Sequence, residues 1–304
     1  MHFSSSWLLL LGVPLLQASD NSGIKMTIQF GNPGPSAQRT IYLQSDRKRM
    51  EFRNYLGEKE GPRLVAITRC DLGQMFELNL DTREYTSAPY PPKPFTKEEM
   101  QARGLPAKAK YVSDKPTLRI GTTTTDTGER EEIFGPIARH VIVIRRQIPL
   151  EGSVSAAQES VTDGWYIDSK TPDSGIDLQR LSCDRQWPER ARGHSYGHAG
   201  GLNEPMDKVE FVDIGEAETG FALRSVMTSK LTHTLSDGTV KQFEVKSKMQ
   251  VTDFEEGPLD PTLFEIPSGF KQVDHIERNP SVSAFANQSN FWQRVRASVA
   301  GLLR

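Results

Sequence analysis

Cysteine is almost absent from this chain: Cys70 and Cys183 are the only two in 304 residues. That rules out a disulfide-framework mini-domain, and the length also suits one large domain or two ordinary ones. Long apolar runs are lacking too. After residue 20 none approaches the roughly 18 residues a membrane-spanning helix needs. Neither sign of charge dominates, with 37 Lys plus Arg against 39 Asp plus Glu. This balance argues against a polyanion-binding protein, which needs clustered excess base, so no nucleic-acid partner is expected. A glycine-rich phosphate loop of Walker or Rossmann type is missing, as is any repeat of 20–50 residues. The composition does not fit collagen-like, coiled-coil or wholly disordered chains.

The N-terminus contains the one strongly apolar stretch, residues 7–16, WLLLLGVPLL. Its length suits the apolar core of a signal peptide and is too short to span a bilayer. Small residues Ala18 and Ser19 follow. Residues 1–18 are therefore read as a signal peptide, which places the mature chain outside the cytoplasm, in a periplasmic or other extracytoplasmic compartment. There Cys70 and Cys183 are a candidate disulfide, with two unpaired thiols as the alternative. At the other end, Asn290 and Gln293 have capping-box spacing. Phe291, Trp292, Val295, Val299, Leu302 and Leu303 then recur at helical spacing. Residues 275–304 are read as a tail with an amphipathic helix. Its arginines suit peripheral contact with an anionic membrane, the alternative being a helix docked on its own domain.

Strand signals fill the middle. Ile24, Met26, Ile28 and Phe30 alternate with Lys25, Thr27 and Gln29, the pattern of a half-buried strand. Further strands are expected at 39–43, 47–53, 64–68, 75–80, 84–87, 117–120, 133–145 with a break at Gly135-Pro136, 165–168, 209–213, 221–231, 240–253 and 263–266. One short helix is expected after Thr96, where Glu99 completes a capping box. Residues 169–207, rich in Gly, Pro, Arg and Asp, read as a long surface insertion. Many short strands with few helices favour an antiparallel sheet in one domain over residues 24–274.

Signals for chemistry are weak. Gly193-His194-Ser195-Tyr196-Gly197 matches the nucleophile-elbow spelling, but neither a buried strand nor a helix flanks it. Asp126-Thr127-Gly128 and Asp173-Ser174-Gly175 resemble acid-protease triplets, yet their polar surroundings fit turns better. His194 and His198 are weak candidates for a metal site. Their four-residue spacing falls among glycines that oppose a helix, so no metal or other cofactor is expected. His140 lies in an apolar strand and reads as a satisfied ring rather than a catalyst. In 47–53 the arginines share one face and Lys48, Met50 and Phe52 the other, which reads as a solvated strand face.

Residues 251–257 (VTDFEEG), Asp260-Pro261 and 263–270 (LFEIPSGF) together resemble the closing signature of bacterial periplasmic domains similar to the LolA/LolB/LppX lipoprotein-carrier superfamily. Residues 42–51 (YLQSDRKRME), 75–85 (MFELNLDTREY) and 133–140 (IFGPIARH) resemble that group's earlier segments in the same order. The resemblance implies a mainly β, α+β fold: a strongly curved antiparallel sheet forming an incomplete barrel, with a helix against its concave face. It also implies an apolar cavity for a lipid or an acylated protein. Met26, Phe30, Met50, Phe52, Met75, Phe221, Phe243 and Met249 are the candidate lining, and methionine suits variable chains. The expectation is a non-enzymatic carrier. The alternatives are an extracytoplasmic interaction module with a filled core and, less favoured, a hydrolase or zinc site on the 193–198 loop.

Overall fold

Alternation of apolar and polar side chains converts almost every segment with that pattern into strand. The computed structural model describes residues 22–31, 38–56, 59–92, 96, 98–99, 111–171, 175–186, 205–234 and 239–276. In chain order the strands are β1 (Ser22–Phe30), β2 (Gln38–Gln44), β3 (Arg47–Leu56), β4 (Lys59–Arg69), β5 (Gln74–Asn79) and β6 (Glu84–Pro89). They continue as β7 (Leu118–Glu132), β8 (Ile137–Pro149), β9 (Ala157–Ile167), β10 (Val209–Ile214), β11 (Phe221–Thr234), β12 (Val240–Pro258) and β13 (Lys271–Gln272).

All join one 13-stranded sheet in the order β10-β7-β8-β9-β11-β12-β1-β2-β3-β4-β5-β6-β13. Two meanders, β1 to β6 and β7 to β9, are stitched together by β11 and β12. The first strand thus lies mid-sheet, antiparallel to β12 from Ser22↔Pro258 to Phe30↔Met249. Only the outermost pairings, β10 with β7 and β13 with β6, are parallel. Turn residues place the bends: Gly73 (φ 61°) closes β4 to β5, and Phe134 (φ 58°) with Gly135 (φ 98°) reverses β7 into β8.

The expected α+β incomplete barrel is corrected. Among the described residues the structure is nearly all β, 64% strand and 5% helical, one open sheet without a helix of seven or more residues. The capping box does form: Thr96 N donates to Glu99 Oε2 at 2.8 Å, and Glu99 N to Thr96 Oγ1 at 3.2 Å. No α-helix lies against the sheet among the described residues; residues 175–186, which end in the 3-10 turn Ser182–Gln186, cover part of the apolar face instead. The C-terminal amphipathic helix expected at 290–303, like the signal segment 1–18, falls outside the described residues. No helix among the described residues is long and apolar enough to cross a membrane.

The surface insertion is also corrected in its first half. Ile176, Leu178, Leu181 and Cys183 are buried and join Ile24, Met26, Ile28, Leu43, Leu223 and Val251 in the larger core. A smaller core of Val65, Ile67, Leu78 and Phe264 is packed by Tyr42, Phe76, Tyr85 and Phe270. Residues 263–266, expected as strand, instead begin in a 3-10 turn, Pro261–Phe264, capped by Asp260, whose side chain accepts from Thr262 N. Phe264 is its one buried residue.

The arginine side of β3 is not simply solvated. Arg49 is 8% exposed. Its Nη1 donates to the Leu263 carbonyl at 2.8 Å, and its Nε to Glu51 at 2.6 Å. Arg69 holds Asp71 with two nitrogens, at 2.8 and 2.7 Å, and reaches the Phe264 carbonyl at 3.2 Å. These cations clamp the turn that delivers Phe264.

A third anchor sits where β10 begins. Asp207, 8% exposed, accepts from Thr117 Oγ1 at 2.7 Å, Ser153 Oγ at 3.0 Å and Val154 N at 3.2 Å. Burial pushes its pKa up. Hydrogen bonds from Ser155, Thr117, Val154 and Ser153 outweigh burial, so the carboxyl stays below the ordinary aspartate value. A depressed folded-state pKa adds stability above the unfolded value, near pH 4, and that stability is lost as pH falls through the lower folded value. Asp207→Ala should cost about 1–3 kcal/mol at neutral pH by orphaning these donors. Urea titrations at pH 7 and pH 3 check this: the gap between variant and parent should narrow at the lower pH. An equal gap at both would rule out the ionised carboxylate as the cause.

Candidate functional site

The face of the sheet that includes Met26 is built by register. Met26 opposes Ile41, Ile41 opposes Met50, and Met50 opposes Ala66. One row along, Ile28, Arg39, Phe52 and Leu64 follow one another across β1 to β4. In the other direction, Ile24, Leu43, Lys48, Thr68 and Met75 do the same across β1 to β5. Phe30 meets Met249 across β1 and β12.

Residues 169–171 and 175–184 form a strap over this face. Leaving β9, the chain turns back on itself, with Leu178 N donating to the Ser169 carbonyl at 2.7 Å and Ile176 N to Thr171 Oγ1 at 3.2 Å. Gln179 Nε2 reaches the Thr219 carbonyl at 3.0 Å, just ahead of β11. The strap's far end lies beside the β4–β5 turn. There Cys183 and Cys70 are at bonding distance, with Cα atoms 5.5 Å apart and a sequence separation of 113. Tyr90 donates its hydroxyl to Asp184 Oδ1, and Asp184 Oδ2 accepts from Leu181 N at 2.9 Å. Burial and the Asp184 carboxylate both push the Tyr90 phenol up, so it stays a donor. In sheet order the strap passes from β11 to β4, over β12, β1, β2 and β3. A paired cysteine couple fits an oxidising, extracytoplasmic compartment.

Most of the predicted lining residues share this face, in different situations. Met26 is fully buried in the core that the strap helps to form. Phe30, Phe221 and Met249 are partly buried against the same core. Met50, Phe52 and Met75 continue the rows of Met26, Ile28 and Ile24 onto β3 and β5 and are partly exposed. Phe243 stands apart, opposite Leu231 far along β12. His194 and His198, with Ser195, lie outside the described residues. Among the described residues no cluster of three or more His, Cys, Asp or Glu could hold a metal.

Two cations occupy the same face. Arg39 places its guanidinium carbon 4.9 Å from the centre of the Phe30 ring. Lys48 sits between Leu43 and Thr68, which are 2% and 9% exposed. Burial lowers the pKa of both; for Lys48 the Asp184 charge opposes this and Arg39 adds to it.

Two further signals resolve into structure, while Asp173 and Ser174 lie outside the described residues. His140 stacks on Trp165 with centroids 4.9 Å apart, and Arg224 covers that Trp ring at 4.8 Å. The His140 Nε2 meets Asp163 at 2.9 Å, and Nδ1 lies 3.1 Å from both Glu129 and Thr127. Asp126-Thr127-Gly128 lies at an irregularity in β7, where Asp126 accepts from Gly128 N at 2.9 Å and pairs with Arg130. The strap was the feature missed. Its signal was the spacing of Ile176, Leu178, Leu181 and Cys183, obscured by the surrounding Asp, Gln and Arg.

No protein family matches the chain, and no curated protein does. The resemblance to lipoprotein carriers therefore rests on the quoted segments alone.

Proposed function

We propose that this is an exported, non-enzymatic carrier that holds a lipid or acyl chain against the strapped face of its sheet. Residues 1–18 direct export, and the working compartment is the periplasm or its equivalent. The observation that supports the reading best is the unevenness of the apolar face. Ile24, Met26 and Ile28 on β1 are buried together with the strap, while Met50, Phe52 and Met75 continue the same rows with partial exposure. Methionine and phenylalanine on one side of a sheet give an adaptable apolar floor. The two intramolecular cores supply the rigidity against which a flexible chain can be held.

A second reading, an extracytoplasmic interaction module, draws on β10. This strand is an outer edge of the sheet, and Phe211, Val212 and Ile214 on it are 51%, 41% and 63% exposed. Unpaired edge groups beside apolar side chains invite another strand. Native mass spectrometry of the protein purified without detergent separates the two. The carrier reading expects a bound mass in the lipid range that organic extraction removes. Apo protein alone, with no uptake of a fluorescent acyl chain, would sink it; a protein-sized adduct would favour the edge.

A further inference from the structure

We propose that Lys48 and Arg39 form a subsite for the anionic head of a single-chain amphiphile, a long-chain fatty acid being its simplest form. This rests on the acyl-binding reading above and gives it a ligand class. The argument starts from placement. Neighbouring β2 and β3 bring both cations to the face that also presents Met50 and Phe52: Arg39 is opposite Phe52, and Lys48 is opposite Leu43. The face is mostly Ile, Met, Leu and Phe, a poor setting for an ammonium group. Leaving one there without compensation is costly.

Compensation within the protein is incomplete. Among the described residues the Lys48 ammonium makes no hydrogen bond or ion pair, and Asp184 is the one carboxylate acting on its charge. That carboxylate is already engaged by the Tyr90 hydroxyl and the Leu181 amide. Glu77 lies on the same face, opposite Ala66 on β5, but has an interaction of its own. Arg39 is satisfied by a ring face, not by an anion. Lys48 thus has one already committed carboxylate and Arg39 a ring face, next to apolar side chains that remain partly open. A ligand that joins a carboxylate to a long apolar chain matches both halves. Its head takes the surplus charge, and its chain takes Met50, Phe52 and Met75. A free inorganic anion would gain only the first half and a neutral lipid only the second.

The test is displacement of the neutral fluorophore N-phenyl-1-naphthylamine from the intact, oxidised protein by palmitate or by monopalmitoylglycerol, with acetate as a head-only control. Charge-assisted contacts should let palmitate displace the dye at a concentration about tenfold or more below the neutral glyceride. In Lys48→Met, palmitate should fall to about the level of the glyceride, whose own displacement should not change. Arg39→Gln should show a smaller loss in the same direction, and serves if Lys48→Met fails to fold. Equal displacement by the two amphiphiles in the parent protein overturns the subsite and leaves the carrier reading standing. An unchanged preference in both variants overturns it too. Displacement by acetate alone would show a simple anion site and no amphiphile. If neither dye nor amphiphile binds, the carrier reading falls and the subsite with it.

Discussion

Phe264→Ala is expected to destabilise the protein by about 3–5 kcal/mol, the range for emptying a fully buried aromatic site. The ring is 0% exposed and meets Val65, Ile67 and Leu78, which are themselves fully buried. It arrives from far along the chain on a turn fixed by Asp260, Arg49 and Arg69. That turn is held by its own hydrogen bonds, so it cannot readily collapse into the vacated space. Phe264→Leu, which keeps most of the volume, should cost much less. Urea unfolding of both variants measures the difference. Amide exchange should rise first in β4 and β5, which line that cavity. A loss under about 1 kcal/mol for the alanine variant would mean the smaller core does not depend on this ring.

Most of the strands were legible because their residues alternate. Ile24, Met26, Ile28 and Phe30 gave β1, and the segments at 39–43, 47–53 and 75–80 lie close to β2, β3 and β5. What did not follow from periodicity was who pairs with whom. That β1 sits beside β12, or that β10 returns to the far edge next to β7, depends on contacts between remote segments that leave no local trace. The arginines of β3 illustrate the same limit. Their alternation marked one face, but whether Arg49 on that face met water or the carbonyl of Leu263 could not be seen in residues 47–53. The turn at Pro261 looked like strand because Leu263, Phe264 and Ile266 are apolar; Asp260 and Pro261 were the stronger signal, a cap followed by the residue best suited to a helix start.

The strap failed for a different reason. Ile176, Leu178 and Leu181 are separated by Asp177, Gln179 and Arg180, and the segment is rich in turn formers. Such a composition ordinarily means a solvated loop, since a buried loop must satisfy its own backbone. Here it does: Thr171, Ser169 and Asp184 accept or return the backbone hydrogen bonds locally. The apolar side chains are thereby free to take the place where a helix was expected. Of the candidate lining residues, Met26 belongs to the core that the strap helps to form, while Met50, Phe52 and Met75 keep partial exposure.

Opening the Cys70–Cys183 link should have an effect of similar size to the loss of Phe264, but by another route. The link closes a loop with a sequence separation of 113. By chain entropy, a loop of this length restricts the unfolded state by about 4–5 kcal/mol. Replacing both cysteines with serine should therefore lower the unfolding free energy by that order, read as a lower urea midpoint, without creating free thiols. The larger core should persist in part, because Ile176, Leu178 and Leu181 keep their apolar partners. Exchange should quicken in residues 175–184 and leave β4 and β5 amides near Phe264 little changed, which separates this variant from Phe264→Ala. The two losses arise in separate cores, so the combined variant should be additive to within about 0.5 kcal/mol. Equal stability of the serine variant and the parent under oxidising conditions would show that the thiols are not joined in solution. A large departure from additivity would show that the two cores are coupled, and the strap would then have to be treated as part of a single folding unit with the Phe264 turn.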